Sequence, residues 1–169
     1  MPEAWMPSGL AVEHPRDAAE KVTRHAFTVG RALAEAGALS RSPDEVSPQP
    51  CEALEGTVAV DEPVPEPPLP AWWVDYSPYQ VFYIGHVELV APSAAVPALA
   101  AARERLEAAG WRERASVLAP NAAGDEPVLL MDAPDEGYGA RLGVALTESG
   151  RSRITVHVAS PCLRHPAER

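Results

Sequence analysis

Apolar residues recur along this chain with two different periods, and the change from one to the other sets the expected architecture. From Pro15 to Ala38, Val22, Ala26, Val29, Leu33 and Ala36 return every three or four positions, which places them on one face of a helix. Pro15 stands near its start, Asp17 and Glu20 suit the positive end of the helix dipole, and Gly37 marks a stop. Glu20, Lys21, Arg24 and Arg31 make its polar face. A second helix is expected from Ser93, acting as cap, to Ala109, with Val96, Leu99, Ala100, Arg103, Leu106 and Ala109 on one face and Gly110 closing it.

Elsewhere the period is two. In Tyr79 to Val90, the residues Val81, Tyr83, Val87 and Leu89 alternate with Gln80, Phe82, His86 and Glu88, the pattern of a half-buried strand. Further strands are expected at Trp111–Ala119, Val128–Ala133, Tyr138–Leu146 and Arg153–Ala159. Turns at Pro120–Pro127, Asp135-Glu136-Gly137 and Glu148-Ser149-Gly150 separate them. In the last strand Ile154, Val156 and Val158 oppose Arg153, Thr155 and His157. The order β-α-β-β-β-β with short late turns predicts an α+β fold: an antiparallel sheet of four to five strands with a helix on one face. A long N-terminal helix and a Pro-rich linker precede it.

Composition changes this picture mainly between the first helix and the sheet. Eight of the nineteen prolines fall from Pro43 to Pro70, and Asp61-Glu62-Pro63-Val64-Pro65-Glu66-Pro67-Pro68 reads as extended linker. Leu54 to Val60 is a possible short edge strand within it. A Pro-rich ligand for a partner is the functional alternative. The expected divisions are a loose start over residues 1–13, the helix over 14–39, the linker over 40–71, the sheet domain over 72–163 and a tail over 164–169.

With 24 acidic against 14 basic residues the formal net charge is −10, which repels phosphate backbones and anionic headgroups, so neither nucleic acid nor a membrane surface is an expected partner. The longest aliphatic run, Ala94 to Ala102, is broken by Pro97 and falls short of the ~20 residues of a membrane span, so no direct membrane insertion is expected. Residues 1–10 show neither a basic nor an apolar targeting region.

The chemistry-bearing residues are few. Cys51 and Cys162 lie at the two ends of the folded-looking region, in Pro50-Cys51 and Ser160-Pro161-Cys162, and read as one disulfide suited to an oxidising compartment. Such a bridge would close a loop of about 110 residues and contribute about 4–5 kcal/mol in the chain-entropy account. Inert thiols, or a reactive Cys162 served by His157, are the alternatives. The five histidines, His14, His25, His86, His157 and His165, include no His-x-His and no i, i+4 pair. A site from His86, His157 and Glu88 is conceivable if their strands pair, but solvated histidines are the expected reading. No metal or cofactor is expected.

Carboxylates cluster in turns (Asp125-Glu126, Asp132, Asp135-Glu136), where water keeps them from acid–base work. There is no Gly-x-Ser-x-Gly elbow, and Gly137-Tyr138-Gly139 lacks the later glycine and helix of a phosphate cradle. The chain is therefore expected not to be an enzyme. Trp72, Trp73, Tyr76, Tyr79 and Phe82 crowd the junction of linker and sheet and are the candidate protein-binding residues. The plainer alternative is that the tryptophans tuck the linker onto the core.

A leading helix, Pro50-Cys51-Glu52, the aromatic strand Tyr79-Gln80-Val81-Phe82-Tyr83-Ile84-Gly85, a helix ending Glu107-Ala108-Ala109-Gly110-Trp111, and a meander closing on Ser160-Pro161-Cys162 follow in order. Over residues 15–163 this resembles a group of small actinobacterial cell-envelope proteins, lipoprotein-like and without assigned activity. A composition rich in Ala, Pro, Arg and Val, with Lys21 the single lysine, agrees with such a source. The resemblance implies an extracytoplasmic, disulfide-stapled module that binds another protein. The alternative is an acidic cytoplasmic inhibitor or immunity protein that masks a basic toxin or nuclease.

Overall fold

The helical period at the start of the chain becomes α1 (Pro15–Glu35) in the computed structural model, which describes residues 9–38, 40–41, 46–51, 56–89, 92–120, 125–146 and 152–169. His14 is its N-cap: the Nδ1 atom accepts the Arg16 N–H at 3.1 Å, and Pro15 occupies the first helical position. Ala18, Val22, Ala26, Val29 and Leu33 are buried, and Gly37 ends the helix with φ 105°, a left-handed conformation open to glycine.

The second helix, α2 (Ala95–Ala108), follows a 3-10 turn at Pro92–Ala94. Ser93 is therefore not its cap; the N-cap position is Ala94, with no side-chain bond. The buried face also differs from the expected one: Ala95, Ala98, Leu99, Ala102 and Leu106 face inward, while Val96 is 56% exposed. Apolar residues occur all round this helix, so periodicity alone does not choose a face. The small alanines turn inward, where they permit close approach to the sheet and to α1.

Both helices lie against the central strands of one antiparallel sheet. Its strands are β1 (Ser40–Arg41), β2 (Val46–Pro50), β5 (Tyr79–Glu88), β6 (Arg112–Ala119), β7 (Glu126–Asp132), β8 (Gly139–Leu146) and β9 (Ser152–Ala159). A separate two-stranded ribbon pairs β3 (Val58–Ala59) with β4 (Tyr76–Ser77). The path through the sheet is β1-β5-β9-β8-β7-β6, and β2 pairs with β5 beside β1. The late strands thus form a meander whose last member, β9, returns alongside β5, and α2 carries the chain across to β6 at the far edge.

The expected alternation is realised. Val81, Tyr83, Val87, Ile154, Val156 and Val158 enter the core, while Phe82, Ile84, His86 and His157 lie on the face away from the helices. The α+β class and the antiparallel meander stand. The strand number is seven rather than four to five, because β1 and β2 come from the segment read as linker. Pro48 and Pro50 lie opposite Val81 and Tyr79. Prolines fit there because β2 is an edge strand, whose outer side needs no N–H donor. Val58–Ala59 realises part of the short strand expected over Leu54–Val60. Residues 52–55, the Glu148-Ser149-Gly150 turn and residues 1–8 lie outside the described residues.

The segment after β9, read as a tail from residue 164, is tied down along its length. Leu163 and Tyr79 exchange both backbone bonds at 2.8 Å, Arg164 bridges to Val12, and Glu168 to Val60. Ser160-Pro161-Cys162 explains how the ladder passes a proline. The Ser160 hydroxyl accepts the Val81 N–H at 2.9 Å, and the Ser160 carbonyl is taken by the Gln80 amide at 2.8 Å. Cys162 then forms a disulfide with Cys51, Cα to Cα 6.0 Å. It joins the end of β2 to the segment after β9, which flank the start of β5 from opposite sides.

Two outcomes follow for stability. Reducing the disulfide should cost about 2–5 kcal/mol of unfolding free energy, read from urea titrations with and without reductant. At Gly137, φ is 83° and an added Cβ would stand 2.9 Å from the Pro161 Cβ. Gly137→Ala should therefore cost about 1–3 kcal/mol, from strain and overpacking. Gly9→Ala, with nothing within 4 Å of the added atom, should change stability by less than about 0.5 kcal/mol.

Candidate functional site

The aromatic residues singled out from the sequence are not brought together. Tyr79 is 0% exposed and is a core residue: its hydroxyl donates to the Glu13 carbonyl, and burial raises its pKa far above the ordinary tyrosine value. Tyr76 is half-buried against the core in β4. Phe82 lies on the opposite face of the sheet, near Gln80, Arg141 and His157. Trp73 is half-buried, its N–H bonded to the Pro70 carbonyl. Trp72 lines a sizeable apolar groove.

That groove has a volume of 590 Å³ and runs along the outer side of α1. Its floor and walls are Ala19, Thr23, Phe27, Val46 and Trp72, and Arg16, Glu20 and Arg24 stand at its rim. Phe27 is 57% exposed. It lies off the Val22–Ala26–Val29–Leu33 stripe, so the one sequence signal for it was a large aromatic on the polar side of the helix. Trp72 is held from two directions: the Arg16 guanidinium lies 5.3 Å from its ring centre, and the His14 ring meets its edge at 5.4 Å.

Behind Trp72 the structure assembles a cluster that no sequence spacing announces. His14 Nε2 lies 2.7 Å from Glu62 Oε1, and His165 Nε2 lies 3.1 Å from Glu62 Oε2. The rings of His14 and His165 are 5.2 Å apart. Three distant pieces of chain meet here: the cap of α1, the Pro-rich segment and the C-terminal segment. Burial alone would raise the Glu62 carboxyl, but the hydrogen bond and charge of the histidines hold it below the ordinary value. The other conceivable set, His86, His157 and Glu88, does not converge: the register sets His157 opposite Ile84 and His86 opposite Thr155.

A third group sits under the Asp135-Glu136-Gly137 turn. His25 Nε2 donates to Asp135 Oδ2 at 2.6 Å, and Arg24 reaches the same oxygen at 3.0 Å. The ring is enclosed by Trp111 and Tyr138, at 5.3 and 5.9 Å. Tyr138 in turn donates to Glu13, whose other oxygen takes Lys21 at 2.9 Å. A His–Asp pair resembles half of a nucleophilic triad. Here the imidazole is buried against aromatic rings, and the contacts at the pair come from Arg24, Trp111 and Tyr138, with no Ser or Cys among them. The arrangement fixes a turn to α1.

Burial lowers the His25 pKa below 6.5, against the raising effect of Asp135. For Asp135 burial acts upward, but the His25 hydrogen bond and the Arg24 charge bring the carboxyl below its ordinary value. At neutral pH the pair is therefore a neutral ring donating to a carboxylate.

No protein-family model matches the chain, and no characterised protein is significantly similar to it. No helix among the described residues is long and apolar enough to cross a membrane.

The His25 shift sets a pH dependence. The unfolded ring takes its proton near 6.5 while the folded ring resists it, so the unfolded state binds more protons below that value. Stability in place above pH 6.5 should fall as the pH drops through the lower folded value, with His157, also lowered by burial, adding in the same sense. Thermal melts between pH 7.5 and 5 should show this decline. His25→Phe should make it shallower even if it lowers the melting temperature at pH 7.5.

Proposed function

We propose that the protein is a non-enzymatic binding module of the cell envelope, and that the groove between α1 and Trp72 takes an apolar segment of a partner protein. The observation that carries this reading is the groove itself. It sets an exposed phenylalanine of α1 beside Trp72, together with Val46 of an edge strand and with arginines at the rim. Aromatic residues and Arg are enriched at protein interfaces, and Trp and Arg at their hot spots. Two of its three charged rim residues are arginines, in a chain of formal net charge −10. The matching segment is thus apolar with an acidic flank.

The disulfide supports an oxidising compartment, because such bridges persist outside the reducing cytosol. The acidic-inhibitor alternative would place the contact on the carboxylate-rich surface and give binding that weakens steeply with salt. A groove contact centred on Phe27 and Trp72 would change little with salt.

The test is peptide display against the oxidised protein, with affinities measured by fluorescence anisotropy. Selected peptides should carry aromatic or aliphatic anchors and lose at least about tenfold in affinity on Phe27→Ser or Trp72→Ala, the cost of a modest hot spot. Val96→Ser, at an exposed apolar residue of α2, should leave binding unchanged. Peptides that bind the Phe27 and Trp72 variants as well as the parent would reject the groove. Mass spectrometry of natively purified protein, alkylated before and after reduction, tests the compartment separately: two free thiols would favour the cytoplasmic inhibitor.

A further inference from the structure

The His14–Glu62–His165 cluster has a property that the groove reading does not use. His165 is 2% exposed, yet its Nε2 and the facing Glu62 Oε2 have no hydrogen-bond partner among the described residues, although they stand 3.1 Å apart. The distance suits a hydrogen bond but the directions do not, so the two atoms aim past each other. Two buried polar atoms without a bond are costly, and each calls for something that satisfies it. One ligand atom from each of the three residues lies within 4.8 Å of the others.

We infer that His14 Nε2, a Glu62 carboxylate oxygen and His165 Nε2 form a binding site for one zinc ion. Two imidazoles and a carboxylate are the donors a borderline divalent cation takes, with a fourth position left for water or a partner's ligand. Zinc bonds of about 2.0–2.2 Å in tetrahedral geometry separate ligand atoms by roughly 3.3–3.5 Å. The 2.7 Å His14–Glu62 contact must therefore open by about 0.6–0.8 Å, a side-chain adjustment, since the ligands come from a helix cap and two extended segments.

The second shell limits the affinity. Both rings receive a backbone N–H at Nδ1, from Arg16 at 3.1 Å and from Ala167 at 3.0 Å. In the ion-free protein this keeps each ring proton on Nε2, bonded to Glu62 in His14 and without a partner among the described residues in His165. Metal at Nε2 moves that proton to Nδ1 and gives up both backbone contacts, the reverse of the usual arrangement in which Nδ1–H donates to an acceptor. Binding is therefore weaker than in a preformed structural zinc site.

The test uses the full chain with its disulfide intact, stripped with chelator and titrated with zinc by calorimetry. Cobalt(II) serves as the visible-absorption probe of tetrahedral coordination. The expected result is one ion per chain and a higher melting temperature with zinc. His14→Asn keeps a good helix cap but removes a ligand, and Glu62→Gln keeps the shape but removes the charge. Each should weaken zinc at least about tenfold and abolish the tetrahedral cobalt bands. Both sites are partly exposed, so either variant can carry the test, with circular dichroism checking the fold. His86→Asn should bind as the parent does. No binding by the parent overturns the inference and leaves Glu62 as a carboxylate hydrogen-bonded by His14 with the His165 ring beside it. Binding that survives both ligand variants, or that His86→Asn removes, overturns it as well.

Discussion

The pairing of the chain's last segment with the start of β5 is the constraint on which the rest of the molecule hangs. Leu163 closes both backbone bonds with Tyr79, and Ser160 does the same work one step earlier with its hydroxyl in place of a ladder carbonyl. Several points along the chain before β5 are fastened to this segment. Cys51 reaches it through the disulfide, Val12 and Val60 through single bridges, and Ser77 by accepting the His165 N–H at 2.9 Å while donating to Glu168 at 2.6 Å. A segment with so little regular structure holds its place because its polar backbone groups are answered one by one.

This explains which parts of the fold were legible in the sequence. Strands β5 and β9 announce themselves because one face is buried under helices and the other is not, so burial and chemistry alternate together along the chain. The stripe of α1 is legible for the same reason. The Pro-rich segment is not, because β2 owes its strand geometry to β5 and the disulfide rather than to its own residues; Val46-Ser47-Pro48-Gln49-Pro50 has almost no strand propensity. In α2 the helix was legible but its face was not, since alanine lines it on every side.

The candidate site was half legible. Trp72 stood out by type, but its neighbours Phe27 and Val46 come from elements whose packing the pattern does not fix. The cluster of His14, Glu62 and His165 was invisible for a stricter reason. Its members are far apart in sequence, and each belongs to an irregular piece of chain where no period relates side-chain directions. Metal-ligand spacing is a signal only when the ligands share an element.

His14 links the two sites. One ring caps α1 through Nδ1, braces the edge of Trp72 and presents Nε2 to Glu62. These roles are coupled because they share a single tautomer: a ring that accepts the Arg16 N–H at Nδ1 must donate from Nε2. Any change that moves the Nε2 proton therefore acts on the first turn of α1 and on the wall of the groove at once. Arg16 sits at the same junction, with its backbone N–H on His14 and its guanidinium over Trp72. The groove wall is thus set by a residue whose Nε2 is engaged by Glu62 in the cluster behind it. The two sites differ in kind, one apolar and open, the other polar and closed, and the helix cap is the mechanical connection between them.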